Sequence, residues 1–137
     1  MGVAVARIEA VHNIAEAAEA SYDQAGGLDA VVYFASGCRV MLSVNLWTER
    51  ELVNGSMGRV IGMIYPENLK PPSLPLAIVV QFDDYTGPSF SPAVPRNVLI
   101  EPFKRTWYSL EGKPLFRNEI SLSLVHAATV HKAQGSV

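Results

Sequence analysis

The stretch between residues 56 and 121 most constrains the fold, because it contains five short runs of strand-forming residues and no helical pattern. The predicted strands cover residues 57–65, 76–82, 97–102, 103–108 and 115–120. Glycines and prolines separate these runs, and the loop at 66–75 alone contains four prolines. Short strands joined by such turns are typical of small antiparallel barrels. We therefore expect a small antiparallel β-barrel in this region.

The residues on either side of this region have a different character. Further strands are expected at 3–11, 31–35, 39–45 and 121–125, with a short surface helix at 14–21 and the start of another helix at 127–134. The continuous apolar runs at 31–35 and 39–45 predict strands covered on both faces, as in the sheet of an α/β domain. At 137 residues the chain could form one domain, or a small domain and part of another. The unfinished helix at the end favours the second arrangement, with a truncated domain beside the barrel.

The charge distribution limits where phosphate could be bound. The net charge is −2, whereas duplex-binding proteins usually carry a basic excess. Residues 1–95 hold five basic and ten acidic groups, and residues 96–137 hold six basic and three acidic groups. The six basic residues are Arg96, Lys104, Arg105, Lys113, Arg117 and Lys132. Any phosphate contact is therefore expected in the last third, with a solvated surface as the alternative for each residue.

Few residues suggest catalysis or metal binding. The sequence has no G-x-x-x-x-G-K-S/T phosphate loop, and its three histidines and one cysteine show no metal-ligand spacing. Asp83 and Asp84 are interpreted as turn formers, and Cys38 as a buried small hydrophobe. No apolar run is long enough to cross a bilayer, and the N-terminus does not resemble a secretory signal. A single cysteine fits a reducing, intracellular compartment.

Two tryptophans could contact nucleic acid. Trp47 precedes a charged patch, and Trp107 lies in a predicted strand. Aromatic rings of this kind stack on bases in single-strand-binding proteins. Packing in a core or at a domain interface is the favoured interpretation for both.

The run at residues 129–135 (TVHKAQG) concentrates polar side chains at the start of a predicted helix. Its polar or backbone-permissive members are Thr129, His131, Lys132, Gln134 and Gly135. The free amides of a helix N-terminus, together with such side chains, suit a phosphate or a sugar. An ordinary amphipathic turn is the alternative on residue types alone.

Three stretches resemble the PIF-type (petite integration frequency) and RecD-like DNA helicases of superfamily one. Residues 37–45 (GCRVMLSVN) match a G-x-x-V-M-L-x-x-N strand, and residues 52–60 (LVNGSMGRV) match an L-x-N-G-x-x-G-x-V turn and strand, with Asn54 and Gly55 as the turn. Residues 122–135 (LSLVHAATVHKAQG) match the helicase motif L-x-x-A-x-x-x-T-x-H-K-x-Q-G. The order and spacing of all three agree with the family, and the likeness covers essentially the whole chain.

This resemblance implies a fold and a domain organisation. Residues 1–54 would be a fragment of the second RecA-like helicase domain, and residues 55–120 an inserted barrel of the Src-homology-three kind. Residues 121–137 would return to the RecA-like domain and end within it. The expected fold class is therefore mostly β, or α+β, with a small barrel inserted in α/β fragments.

The resemblance also implies a function, that of an ATP-dependent 5′ to 3′ DNA helicase, with DNA repair and recombination as the expected setting. Thr129, His131 and Lys132 would contact single-stranded DNA, and Gln134 and Gly135 would couple that contact to the nucleotide. ATP and Mg²⁺ would serve the intact enzyme, whose remaining chain would be a partner, and this fragment alone would bind neither. A nuclear or mitochondrial location is implied for a eukaryotic source. The alternative is a stand-alone barrel that binds single-stranded nucleic acid or another protein.

The sequence also departs from the family pattern. The phosphate loop, the magnesium-binding acidic motif and the later arginine-bearing motif do not occur in these residues. His126 stands where relatives often carry a small or aromatic residue. We therefore expect no ATP hydrolysis by this chain alone.

Overall fold

The computed structural model of the protein describes residues 5–89 and 96–125. Within these ranges the chain forms ten strands, one four-residue α-helix and one 3₁₀ turn. The strands are β1 (Ala6–Glu9), β2 (Val11–His12), β3 (Val31–Phe34), β4 (Arg39–Leu42), β5 (Met57–Ile64), β6 (Ala77–Phe82), β7 (Asn97–Ile100), β8 (Phe103–Tyr108), β9 (Pro114–Glu119) and β10 (Leu122–Leu124). The helix α1 is Ala15–Ala18, and the 3₁₀ turn is Thr48–Arg50. The mostly-β fold class is thus confirmed.

The strands pair into three antiparallel sheets. The largest has the order β10-β4-β5-β6-β7, the second β2-β9-β8, and the third contains β1 and β3. The five-stranded sheet joins distant parts of the chain, because β4 lies between β10 and β5. The predicted domain boundary between residues 54 and 55 therefore falls between two strands that are neighbours in one sheet.

A closed barrel does not occur among the described strands. The outer strands of the five-stranded sheet are β7 and β10, and the described residues contain no pairing between them. Strands β8 and β9 pair with β2 in a separate sheet instead of closing the first. The prediction that the strands at 31–45 are covered on both faces is also wrong, because β3 and β4 alternate between buried and more exposed residues. Both strands pair antiparallel with their neighbours.

The core lies between the five-stranded sheet and the sheet of β1 and β3. Its buried members are Ile8, Val32, Phe34, Val40, Leu42, Val44, Leu52, Val60, Ile78, Val80, Phe82, Tyr85, Ile100, Ile120 and Leu122. Most of them are apolar side chains at alternate strand positions, and burying such side chains is the main source of stability in a small sheet protein. These two sheets are therefore held together by one continuous apolar cluster.

Two glycines of β5 have physical roles in the sheet. The register of β5 against β6 shifts between Val60 and Gly62, so β5 contains a bulge there. At Gly58, an added Cβ would lie 2.6 Å from the Gln81 carbonyl oxygen and 2.8 Å from a Val80 methyl carbon. Only glycine therefore allows β6 to approach β5 this closely.

The helix α1 is shorter than the predicted 14–21 helix. The Ser21 backbone N–H donates to the side chain of Gln24, and the Gln24 backbone N–H donates to the Ser21 hydroxyl, at 2.9 and 3.1 Å. Such local side-chain hydrogen bonds compete with continued helix. Gly26 and Gly27 then adopt positive φ values of 63° and 96°, and the chain turns toward β3.

Candidate nucleic-acid interface

The predicted DNA-contacting residues Thr129, His131 and Lys132 lie outside the described residues, as do Gln134 and Gly135. The structure describes the chain up to Val125, whose backbone N–H donates to the Arg39 carbonyl oxygen at 2.9 Å. The last described residue before 129–135 therefore lies beside Arg39 at the edge of β4.

An arginine-bearing face lies next to this point. We define it as Arg39, Arg59, Asp83 and Arg96. Arg39 and Arg59 are register partners on β4 and β5, so their side chains stand side by side on one face of the sheet. The guanidinium of Arg39 donates two hydrogen bonds to the Asp83 carboxylate, at 3.0 and 2.6 Å.

Backbone contacts hold the other two arginines of this face. Arg59 donates from Nη1 to the Gly37 carbonyl oxygen at 3.1 Å. Arg96 has a positive φ of 64° and donates from Nε to the Phe82 carbonyl oxygen at 3.0 Å. Within the described residues, neither forms an ion pair with a carboxylate. Three positive charges thus converge on one negative charge.

The ionisation of Asp83 follows from this arrangement. Its hydrogen bond with Arg39 is the main cause that lowers the pKa of Asp83, and the charges of Arg39, Arg96 and Arg59 lower it further against partial desolvation. The same hydrogen bond raises the pKa of Arg39. Asp83 and Arg39 therefore stay ionised at neutral pH, and three guanidinium groups beside one carboxylate leave the face with a net positive charge.

The basic residues predicted to meet phosphate are mostly engaged elsewhere. Arg117 is only 1% exposed, so the expectation that it could contact phosphate is wrong. Lys113 pairs with Glu16 at 3.2 Å. Arg105 donates to the Gly26 carbonyl oxygen, and Lys104 lies 4.6 Å from the centre of the Phe116 ring. Among the described members of the predicted set, Arg96 alone belongs to the arginine-bearing face, and Lys132 lies outside the described residues.

The sequence pattern missed Arg39 and Arg59. Both lie in the part of the chain with a net acidic charge, and they are twenty residues apart. Only the pairing of β4 with β5 brings them together. Their positions inside two of the family-like stretches, residues 37–45 and 52–60, are the one signal that could have singled them out.

The same two stretches also build the loop between β4 and β5. The Asn45 side-chain oxygen accepts a hydrogen bond from the Asn54 backbone N–H at 2.8 Å. Gly55 has a positive φ of 102°, and its N–H donates to the Leu42 carbonyl oxygen at 2.8 Å. A side chain with a Cβ rarely adopts that φ, so the turn requires glycine. Asn45, Asn54 and Gly55 thus have structural contacts that fix the start of β5.

The two tryptophans have different surroundings. Trp47 is 42% exposed, lies outside the core cluster, and has the Arg50 guanidinium 5.4 Å from its ring centre. Packing in the core is therefore wrong for Trp47, whereas packing at a domain interface stays a prediction. Trp107 is half-buried and lies in a groove beside α1.

Cys38 is also half-buried, packs against the core cluster, and accepts a hydrogen bond from the Ala35 backbone N–H.

The described part of the chain contains no group of three or more histidine, cysteine, aspartate or glutamate side chains placed to hold a metal ion. No helix in that part has the length and apolar character needed to cross a membrane.

By fold, the described residues match a β-rich part of solved DNA helicases. A Pif1 helicase from Candida albicans superposes with a TM-score of 0.64 at 22% identity, over 98% of this chain and 32% of that chain. Bacteroides Pif1 bound to ssDNA superposes with a TM-score of 0.54 at 18% identity, over 88% of this chain and 24% of that chain. Likeness at such low identity defines the fold alone.

In sequence, the chain is similar to the ATP-dependent DNA helicase PIF7 of Trypanosoma brucei brucei (strain 927/4 GUTat10.1). The two are 32% identical over 124 residues, which cover 79% of this chain and 12% of the relative. No family model matches the chain. The chain is similar to a segment of Pif1-like helicases, as the three sequence stretches predicted. The segment spans about an eighth of that relative and about a third of the Candida chain.

Proposed function

We propose that this chain is the part of an ATP-dependent 5′ to 3′ DNA helicase that holds the backbone of single-stranded DNA. The observation that carries the proposal is the arginine-bearing face beside Val125, where the chain leads toward residues 129–135. The similarity to PIF7 and to Pif1 structures supports a DNA substrate.

Thr129, His131 and Lys132 are proposed to contact the DNA strand, and Gln134 and Gly135 to couple that contact to the nucleotide. The domain organisation that the resemblance implies also belongs to this proposal. Residues 1–54 and 121–137 are proposed as RecA-like fragments, and residues 55–120 as the insertion between them. The continuous sheet through β10, β4 and β5 would then join the insertion rigidly to its surroundings. Such a joint would transmit movement of one part to the other.

The chain's own residues do not fit ATP and Mg²⁺. The sequence lacks the G-x-x-x-x-G-K-S/T loop whose backbone amides cradle phosphates. The one helix among the described residues is four residues long, and its N-cap is Ile14, whose side chain makes no capping hydrogen bond. ATP and Mg²⁺ are therefore assigned to the remainder of the intact helicase.

The geometry of the arginine-bearing face suits phosphate in particular. A guanidinium presents several donors in one plane and matches phosphate oxygens in pairs. Arg59 and Arg96 have no carboxylate partner within the described ranges, so their charge is available to a bound anion. Because Asp83 engages Arg39, it orients this side chain while leaving the net charge of the face positive.

Arg59→Ala is expected to weaken binding of a labelled oligothymidylate about three- to tenfold. The logarithm of the binding constant falls as the logarithm of the salt concentration rises, and the substitution should make this slope less steep by about 0.7 to 1, since one phosphate contact is lost. Fluorescence anisotropy at several salt concentrations measures both. Arg7→Ala is the matched control. Arg7 is also an exposed strand arginine, but it lies on β1 in another sheet, where it pairs with Glu9 of the same strand. An unchanged slope for Arg59→Ala, or an equal loss for Arg7→Ala, would exclude this face as the DNA contact.

The isolated chain is expected to hydrolyse ATP no faster than a buffer blank, with or without single-stranded DNA. A coupled assay for released phosphate measures this. DNA-stimulated hydrolysis that a chelator abolishes would contradict the assignment of the nucleotide site to the remaining chain. The oligonucleotide experiment is independent of this result, because backbone binding requires no nucleotide.

A further inference from the structure

The hairpin of β8 and β9 presents unusually exposed apolar side chains. Tyr108 is 70% exposed, and Leu110 at the tip is fully exposed. Strand β8 has no buried residue, whereas β9 buries every second side chain. Large apolar side chains that cluster at the surface often mark a site of interaction with another molecule.

Strand β8 is also an edge strand. It pairs with β9 on one side, and its other side has no strand partner among the described residues. The backbone groups on that free edge can accept an additional extended segment, which is how many domains bind peptides. The apolar side chains and the free edge therefore lie on the same hairpin.

A groove of about 710 Å³ separates this hairpin from α1. Trp107 and Leu115 contribute an apolar wall from the hairpin, and Glu16 and Glu19 contribute an acidic wall from α1. An ion pair between Lys113 and Glu16, at 3.2 Å, joins the two sides. The groove is thus held between two elements rather than formed by one mobile loop.

The charge of this groove identifies the class of ligand. Glu19 and Glu111 line it, and neither forms an ion pair within the described ranges. The nearby Lys113 is already engaged by Glu16. A surface with unpaired carboxylates repels phosphate and attracts a cation. The groove is therefore electrostatically opposite to the arginine-bearing face.

We propose that this groove docks a partner protein through a segment with an apolar anchor next to lysine or arginine. The anchor packs against Trp107, Tyr108 and Leu115, and the basic side chain pairs with Glu19 and Glu111. The free edge of β8 supplies backbone hydrogen bonds to the segment. This surface is separate from the proposed DNA contact, so both ligands can be bound at once.

The probe is a labelled synthetic peptide of about ten residues, with leucine and tryptophan flanked by lysines. Fluorescence anisotropy with the whole chain is expected to show saturable binding. Tyr108→Ala should weaken binding at least about fivefold, because one exposed aromatic contact is lost. Tyr33→Ala is the matched control, since Tyr33 is an exposed strand tyrosine at 45% exposure on β3, and it should leave binding unchanged. Both variants should retain the wild-type circular dichroism, because both rings are exposed.

A second arm tests the charge. Glu19→Lys combined with Glu111→Lys should abolish binding of the lysine peptide, and a peptide with glutamates in place of lysines should not bind the wild-type chain. Equal binding of the two peptides, or no effect of Tyr108→Ala, would overturn the proposal. Displacement of the peptide by an oligonucleotide would also overturn it, since that would place both ligands at one site. A dimer that dissociates on Tyr108→Ala would instead assign the groove to a second copy of the chain.

Discussion

Arg117→Leu is expected to lower the free energy of unfolding by about 3 to 5 kcal/mol, because several buried acceptors lose a charged donor at about 1 to 3 kcal/mol each. The guanidinium of Arg117 donates to the Leu28 carbonyl at 2.8 Å, and to the Ala17 and Ala20 carbonyls at 3.2 and 2.8 Å. It also donates from Nε to Nε2 of His12 at 2.8 Å. These contacts tie α1 and the following turn to β9. Leucine supplies apolar area but removes the Arg117 donors from the Leu28 and Ala20 carbonyls, whereas the Ala17 carbonyl still accepts from the Ala20 backbone N–H.

Urea denaturation followed by tryptophan fluorescence measures the loss. Arg105→Leu is the matched control, because Arg105 lies on the adjacent strand and makes a single hydrogen bond, to the Gly26 carbonyl at 3.2 Å. It should cost less than about 1.5 kcal/mol. Arg117→Lys should be nearly as destabilising as Arg117→Leu, since an ammonium cannot reproduce the planar set of donors. A loss below about 1 kcal/mol for Arg117→Leu would contradict the central role of this residue.

The same variant separates a structural role from a DNA contact. Because Arg117 is buried, oligonucleotide binding by the folded fraction of Arg117→Leu should keep the wild-type salt dependence. The pKa of His12 is a second indication that Arg117 lies in a buried hydrogen-bond network. Desolvation, and then the charge of Arg117, lower the pKa of His12, so that the ring stays neutral and its Nε2 can accept the hydrogen bond.

Glu119→Gln is expected to remove a loss of stability that the wild-type protein shows as pH rises. Glu119 is fully buried, and burial raises the pKa of its carboxyl group from 4.5 to about 8, despite a hydrogen bond from the Ile120 backbone N–H. Its Oε2 has no hydrogen-bond partner among the described residues. Below pH 4.5 both the folded and the unfolded chain carry the proton, so the group has no effect on stability.

Between pH 4.5 and 8 the unfolded chain releases this proton and the folded chain retains it, so stability falls with rising pH. The full loss is at most about 5 kcal/mol, and about 2 kcal/mol of it falls between pH 6.5 and 8. Within that interval His12 contributes little, because its lowered pKa places its own effect below 6.5.

Urea denaturation at several values between pH 6.5 and 8 should therefore give a falling free energy of unfolding for the wild type and a nearly constant one for Glu119→Gln. The glutamine keeps an oxygen that can accept from the Ile120 N–H, which makes it a conservative replacement. Glu111→Gln, at an exposed position, should keep the wild-type slope. Equal slopes for wild type and Glu119→Gln would show that another group causes the dependence.

Local sequence patterns located most of the strands. Runs such as 76–82 and 103–108 became β6 and β8 with bounds that differ by one residue or less. These segments succeed because β-branched and aromatic residues, bounded by glycine and proline, favour extended backbone whatever they later pair with. The family-like stretches indicated the likeness to Pif1-like helicases, and they also contained the turn of Asn54 and Gly55.

The pairing of strands that lie far apart along the chain could not be read from such patterns. Strand β10 pairs with β4, and β9 pairs with β2, across most of the chain. A local pattern specifies which face of a strand is apolar, but not which distant strand lies beside it. The prediction of a closed barrel was wrong for this reason.

By itself, the sequence determined the strand-rich fold class, the turn positions and the likeness to Pif1-like helicases, since these depend on residues that are close in sequence. Only the tertiary structure decided that Arg117 and Glu119 are buried while Arg39, Arg59 and Arg96 gather around Asp83. All five are charged residues that a local pattern would place on the surface. Their environments are set by long-range packing and electrostatics, because burial and charge proximity depend on which distant segments surround each side chain.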